Sequence, residues 1–294
     1  MTKERPDFWL DHVALVTPDL DRAYEVYSRM GFNLSPRSSH QGRLEANGPI
    51  ELWGAGNHCA MFSTGYLEIL GITDPDRYCE HVQILLDHYS GLHLIALGCA
   101  DIERRIDILK RSLGQESTFY DVSRDVPLVS GGSEEATFRI LQLPDKTFPE
   151  ADLFFIEHKN TEVLWQAELL EQPNGVIGLS GITVCSDIWK DSAERLSVAL
   201  AVTPVASDEA RTFSLAHGEI EIMAPNAFSR RFATVAPPVS PWVGAIEFAV
   251  TDIGATRRFL QRNQFDVQAL PDDAVWIDVE GAVMVFRQGQ VPSR

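Results

Sequence analysis

The sequence has 294 residues, 45% of them hydrophobic and 23% charged, which suits one large or two ordinary domains and excludes whole-chain disorder. Its formal net charge of −17 disfavours nucleic acid and anionic membrane surfaces as partners, since both would be repelled. No run approaches the roughly 18 apolar residues of a membrane span, and the N-terminal residues lack a signal peptide's apolar core. The four cysteines lack zinc-site spacing, so we predict a cytoplasmic protein with reduced thiols.

The first predicted elements form one strand, one helix and three further strands. The run DHVALV at 11–16 is typical of a strand, and Asp19 is a good helix N-cap after Pro18. Apolar residues then recur at helical spacing over 20–30, and Gly31 ends the helix. Extended segments follow around 32–39, 57–62 and 65–72. Together these elements predict a βαβββ module.

This order of elements returns three times along the chain. The later modules begin with strands at 92–97, 182–185 and 245–250. A short helix is predicted within 74–90, and the Pro-, Ala- and Ser-rich segment 225–242 is predicted to be a loop. We therefore expect an N-terminal domain over 1–160, a connector over 161–178 and a C-terminal domain of two shorter modules over 179–294.

The motifs of this repeat resemble the vicinal oxygen chelate superfamily. HVALVTPDL at 12–20 is similar to the opening strand and helix start of its modules, and YLEIL at 66–70 is similar to the closing strand. GNHCAMF at 56–62 and FFIEHK at 154–159 resemble its glyoxalase-like domain branch. The resemblance implies an α+β fold in which four βαβββ modules form two paired half-open barrels.

The resemblance also implies a divalent metal ion held by a His from the first strand and a Glu or Gln from the fourth strand of each module. Carried over residue by residue, the ligands are His12, Glu68, His93 and Glu157. Imidazole and carboxylate ligands suit Ni, Zn, Mn, Fe or Co. Two alternatives stay open. His93 is one residue out of register with His12, and Glu157 competes with His158 because neighbouring strand residues face opposite sides. We prefer Glu157.

Polar residues on or beside the second and third strands of the first module are candidates for the substrate pocket. They are His40, Asn57, His58 and Cys59. In the second half, Ser180 and Ala245 stand where the first-strand histidines are expected. Glu221 echoes Glu68 but has no imidazole partners, so we expect this half to be metal-free and structural.

These residues favour a metal-dependent enzyme acting on a small molecule. Lyase or isomerase chemistry would proceed through a metal-stabilised enediolate, with Glu157 or Glu68 as the proton-transfer base. Two alternatives are a non-catalytic small-molecule binding or resistance protein, and a dioxygenase or hydrolase on the same scaffold, because a fold does not fix a function. The expected partner is a small-molecule substrate, and a homodimer is left open.

Overall fold

The computed structural model describes residues 6–45, 47–114, 117–144, 147–233 and 235–289. The first module comprises β1 (Phe8–Thr17), α1 (Leu20–Arg29), β2 (Ser38–Gly42), β3 (Glu51–Met61) and β4 (Tyr66–Ile72). After the linking helix α2 (Glu80–Leu86), the second module comprises β5 (Gly91–Cys99), α3 (Ile102–Leu113), β6 (Tyr120–Pro127), β7 (Ser133–Gln142) and β8 (Asp152–His158).

The second half repeats this order with shorter strands. Two 3-10 turns, Thr161–Val163 and Ala167–Leu169, lead to β9 (Val176–Cys185), α4 (Trp189–Leu200), β10 (Val205–Ala206), β11 (Ala210–Ser214) and β12 (Glu219–Met223). Helix α5 (Pro225–Arg231) precedes β13 (Trp242–Val250), α6 (Ile253–Arg262), β14 (Gln268–Ala269), β15 (Val275–Val279) and β16 (Ala282–Gln288). The predicted four-module α+β fold is confirmed.

Three of the module helices begin at the aspartates that mark the repeat in the sequence. The side chains of Asp19, Asp101 and Asp252 each accept a hydrogen bond from the backbone N–H three residues later. Such caps satisfy an otherwise free helical donor and stabilise the helix by about 1 kcal/mol. One loop prediction is wrong, because 225–242 contains α5. Pro225 stands at its first position, where the missing N–H costs nothing.

The strand pairing joins the modules in pairs. Within each module the first strand pairs in parallel with the fourth, as β1 does with β4 and β9 with β12. The first strands of paired modules run antiparallel, β1 beside β5 and β9 beside β13. The two halves connect where Val243 of β13 pairs with Leu92 of β5, so the described strands form one continuous, open sheet.

The main core lies on the helix-covered face of both halves, where α1, α3, α4 and α6 pack against the strands. The opposite face of the first half, here named the first-half interior, is filled differently. Val163, Leu164 and Leu169 of the connector pack there against strand residues such as Tyr66 and Phe154. Within the described ranges, no helix is long and apolar enough to cross a membrane.

Candidate functional site

Two of the four predicted ligands share the first-half interior. His12 on β1 has a side chain that is 5% exposed, and its ring stacks on Tyr66 with centroids 4.3 Å apart. Glu68 follows Tyr66 by two residues on β4 and therefore faces the same side of the sheet. Asn57 of β3 donates a hydrogen bond to the Glu68 carboxylate. The first module thus presents an imidazole and a carboxylate to one space.

The second module places apolar side chains at the corresponding positions. Leu94 pairs with Asp152 of β8 in the way that His12 pairs with Tyr66 of β4. By the same register, Phe154 takes the position of the fourth-strand carboxylate. Leu94 and Phe154 both pack in the first-half interior. The two positions expected to supply the His and Glu ligands therefore carry apolar side chains, which cannot bind a metal ion.

His93 is diverted by a β-bulge. Leu94 of β5 pairs with Ala14 of β1, and Leu92 pairs with the next residue, Leu15. His93 therefore has no pairing partner on β1. Its ring stacks on Tyr89 with centroids 4.0 Å apart, and its Nε2 donates to the Tyr89 carbonyl oxygen at 2.8 Å. The one-residue offset between His93 and His12 is thus explained by a bulge at His93, whereas Gly98 pairs regularly with Trp9. The described contacts of His93 thus lie with Tyr89, away from His12.

Glu157 lies on the opposite side of β8 from the first-half interior. Its Oε2 accepts from the backbone N–H of Ile102 at 3.2 Å, at the start of α3, and its Oε1 pairs with Lys159. The neighbouring His158 is the residue that packs inward, with its ring edge-on to Trp165 at 5.2 Å. The preference for Glu157 over His158 is therefore corrected, because the alternation along β8 assigns Glu157 to a helix terminus.

These placements do not fit the metal site that the fold family implies. Among the described residues, no three His, Cys, Asp or Glu side chains gather in an arrangement that could hold a metal ion. Glu68 also already has a cation nearby, Arg124 of β6. Burial alone would lower the pKa of Arg124. The electrostatic effect of Cys59 and Glu68 is larger than the effect of burial, so the pKa of Arg124 is raised. One imidazole and one charge-balanced carboxylate are a poor donor set for a divalent ion.

The four predicted pocket residues divide between the faces of their strands. Asn57 and Cys59 face the first-half interior, where the open space beside them is only about 20 Å³, too little for a substrate. Burial raises the pKa of the Cys59 thiol to about 12. His58 faces the other way, and its Nδ1 donates to the Ser35 carbonyl oxygen at 2.8 Å. Burial lowers the pKa of His40 to about 4, and its Nδ1 lies 3.1 Å from Nε2 of His81.

The structure shows a polar cluster that the sequence did not predict. Asp11 is the extra residue of a β-bulge between Leu10 and His12 on β1, and its side chain is 2% exposed. Its Oδ1 accepts from His12 Nδ1 at 2.8 Å and from His158 Nε2 at 3.0 Å. Burial alone would raise the pKa of Asp11, but these two hydrogen bonds hold it well below the usual value.

The charge state of Asp11 fixes the tautomers of both histidines. A carboxylate can only accept, so the two imidazole nitrogens that face Asp11 carry the hydrogens. His12 Nε2 and His158 Nδ1 are then the nitrogens with free lone pairs when the rings are neutral. His158 Nδ1 is buried and has no hydrogen-bond partner among the described residues. A buried lone pair without a partner is uncommon and points to a ligand or a chemical role.

A cavity of about 430 Å³ lies beside this cluster. It opens where β1 starts and β8 ends, next to the β3–β4 turn and the β11–β12 turn of the second half. Its walls include both aromatic and polar side chains: Trp9, Asp11, Ser63, Thr64, Cys99, Glu157, His158, Thr161, Trp165 and His217. Burial raises the pKa of the Cys99 thiol to about 12. The cavity therefore has the His158 ring and two tryptophans among its walls, in a volume suited to a small molecule.

Comparisons with known proteins agree with this architecture. Residues 10–200 match the family described as glyoxalase-like domain. No curated protein matches the chain. A hypothetical protein from Staphylococcus aureus shares the fold with a TM-score of 0.64 and 13% identity, covering 96% of this chain and 99% of its own.

Two further structures show the same fold at lower similarity. A mutant of 4-hydroxymandelate synthase from Streptomyces coelicolor has a TM-score of 0.56 and 12% identity, with 96% of this chain and 92% of that chain covered. A xylose isomerase-like TIM barrel/4-hydroxyphenylpyruvate dioxygenase fusion protein has a TM-score of 0.53 and 11% identity, with 99% and 51% covered. At such identities the likeness concerns the fold alone. From the family match over 10–200 and the four-module architecture, the chain belongs to the glyoxalase-like domain family of the vicinal oxygen chelate superfamily.

Proposed function

We propose that this chain is an enzyme of small-molecule metabolism that transfers protons, in the isomerase or lyase class, through the Asp11–His12–His158 cluster. The observation that supports this most directly is one buried carboxylate holding two imidazoles in fixed tautomers beside a cavity. An imidazole oriented by a carboxylate is a common general base, because the carboxylate fixes the ring and stabilises its protonated form.

The substrate class follows from the chemistry available to such a base. An α-hydroxycarbonyl compound loses its carbon-bound α proton to His158. The proton of its hydroxyl group passes to the former carbonyl oxygen, and the same ring returns the first proton to the former carbonyl carbon, which gives the isomeric α-hydroxycarbonyl compound. Trp9 and Trp165 would exclude water from the flanks of the substrate. Atoms balance without an added oxidant, since one proton leaves and one returns.

The earlier expectation of a metal-stabilised enediolate has less support than this proposal. Leu94 and Phe154 replace two of its ligands, so no step is derived through a metal ion. Metal binding stays a prediction, tested by elemental analysis of the purified protein. A binding protein without catalysis is the second candidate, favoured by the burial of His158 Nδ1 beside a cavity that can hold a small molecule.

The test is exchange of carbon-bound hydrogen in D₂O. Small α-hydroxyketones and 2-oxoacids are incubated with the protein, and deuterium uptake is followed by proton NMR. We expect uptake above the buffer rate with at least one compound, and a loss of about 10²- to 10⁴-fold in His158→Gln, as for removal of a positioned base. Asp11→Asn should lose a similar factor, because an amide no longer fixes both tautomers.

Matched controls separate proton transfer from damage to the fold. His88→Gln changes an exposed histidine outside the cavity and should exchange at the rate of the unchanged protein. Uptake should persist after dialysis against EDTA. Uptake that disappears with EDTA and returns with a divalent metal would contradict the proposal. So would compounds that bind in the cavity without any exchange, which would favour the binding protein.

A further inference from the structure

The second half, which the sequence predicted to be structural, contains a cleft. Its volume is about 510 Å³, whereas the space beside Asn57 and Cys59 in the first-half interior is about 20 Å³. The strands β9, β11, β12, β13 and β16 form its walls, on the side of the sheet that the connector fills in the first half. Glu221 lies here at the position that corresponds to Glu68, since it pairs with Thr183 as Glu68 pairs with Ala14.

Charged residues of both signs line the cleft, with negative charge in excess. The carboxylates are Glu219, Glu221, Glu247 and Asp272, and the cations are Arg231 and Arg287. Four carboxylates against two guanidinium groups leave a formal excess of two negative charges. Apolar side chains complete the walls: Phe232, Leu270 and Val285.

Both arginines are already engaged by carboxylates. Arg231 forms a bidentate pair with Glu221, in which Nη2 donates to Oε1 at 3.0 Å. Arg287 Nε donates to Glu247 at 3.0 Å, while its Nη1 pairs with Asp272. An anionic ligand would have to displace these carboxylates, so the cleft is poorly suited to carboxylates or phosphates.

Glu247 shares the Arg287 guanidinium with Asp272, whereas Glu221 has a bidentate pair with Arg231. Glu247 is half-buried and accepts hydrogen bonds from Arg287 and from Ser180 Oγ at 3.3 Å. Burial is the main reason that the pKa of Glu247 is raised, and Arg287 does not offset it fully. A further cation or strong donor beside Glu247 would therefore stabilise its charged form.

We propose that this second-half cleft binds a small organic cation, an amine with an apolar body, whose ammonium group pairs with Glu247. The excess negative charge selects a cation, and the apolar walls select an organic body over a bare ion. Among the described residues, no three ligating side chains gather here to hold a metal ion. The cleft is separate from the Asp11–His12–His158 cluster, so this proposal stands independently of the proposed enzymatic function.

The experiment compares three size-matched probes by isothermal titration calorimetry at low salt: benzylamine, benzyl alcohol and benzoate. We expect benzylamine to bind at least tenfold more tightly than benzoate. Glu247→Gln should weaken benzylamine binding about tenfold, the loss expected of one ion pair in a partly buried site. Arg287→Gln should strengthen it, because a competing cation is removed from Glu247. An anion site would show the opposite response to Arg287→Gln.

Controls make each outcome decisive. Glu209→Gln removes a carboxylate of the exposed Arg230 pair outside the cleft and should leave the affinity for benzylamine unchanged. Asp272→Asn, at an exposed position, is a second variant should Glu247→Gln fail to fold, and it should weaken binding two- to fivefold. Equal binding of all three probes, tighter binding of benzoate, or no benzylamine binding up to about 10 mM would each overturn the proposal.

Discussion

At the residue scale, the placement of Asp11 depends on one irregularity in strand pairing. In regular pairing, successive side chains alternate between faces, so Asp11 and His12 would point apart. The bulge between Leu10 and His12 lets the carboxylate reach both imidazoles. Bulges commonly redirect side chains near active sites, and here one brings Asp11 within hydrogen-bonding distance of His12 and His158.

This network predicts a stability loss when its acceptor is removed. Asp11→Ala leaves two buried imidazole donors without a partner, so the free energy of unfolding should fall by about 3 kcal/mol. Urea denaturation measures the change. Asp107→Ala, at an exposed site on α3, is the control and should change the free energy by less than about 0.5 kcal/mol. Equal losses in the two variants would show that Asp11 is not a structural acceptor.

At the element scale, the connector after β8 decides how the first half can be used. Its residues Val163, Leu164 and Leu169 are buried among strand side chains, and Gln166 fastens it by accepting from the N–H of Val129 at 2.8 Å. Trp165 Nε1 donates to the Phe62 carbonyl oxygen at 3.0 Å. The connector thus packs into the first-half interior, in which the sequence placed a substrate, and its Trp165 lines the cavity beside His158.

Truncation within the connector should therefore be costly. Leu164 is 4% exposed, so Leu164→Ala should lower the free energy of unfolding by about 2–4 kcal/mol through lost burial and a new cavity. Leu44→Ala, at a site 52% exposed, should cost far less. Chemical denaturation of both variants checks the difference. A small effect at Leu164 would mean that the connector rests loosely on the strands.

At the scale of the whole molecule, the two halves meet through backbone as well as side chains. Besides the β5–β13 pairing, the β15–β16 turn approaches the residue before β5. A Cβ atom added at Gly281 would stand 2.1 Å from the Ser90 carbonyl oxygen, and Gly281 has a φ of +80°. A side chain at this position would push the halves apart.

A pair of glycine substitutions isolates this contact. Gly132 has a φ of +81° but no atom within 4 Å of its added Cβ. Both Gly281→Ala and Gly132→Ala should lower the free energy of unfolding by about 1 kcal/mol, because alanine is strained at a positive φ. Only Gly281→Ala should lower it by a further ~1–3 kcal/mol, because of the clash with Ser90. Thermal and urea unfolding of the two variants measure the difference. Equal losses would show that the halves can separate slightly at little cost.

The sequence by itself determined the repeat and therefore the fold. The strand–helix signal recurs four times, and three of the four helices are capped by an aspartate that acts within a few residues of its own helix, so local chemistry was enough to predict the modules. The family resemblance named His12 and Glu68 together, and in the structure both face the first-half interior from the paired strands β1 and β4.

Only the tertiary structure decided the content of the site. The bulges at Asp11 and His93 each change the register by one residue. The sequence showed the one-residue offset of His93 but neither the bulge at Asp11 nor the position of the second bulge, because a bulge is defined against the partner strand. The choice between Glu157 and His158 depended on the start of α3, which attracts the carboxylate. The filled first-half interior and the open second-half cleft follow from where the connector and α5 pack, and long-range packing of that kind leaves no periodic signal in a sequence.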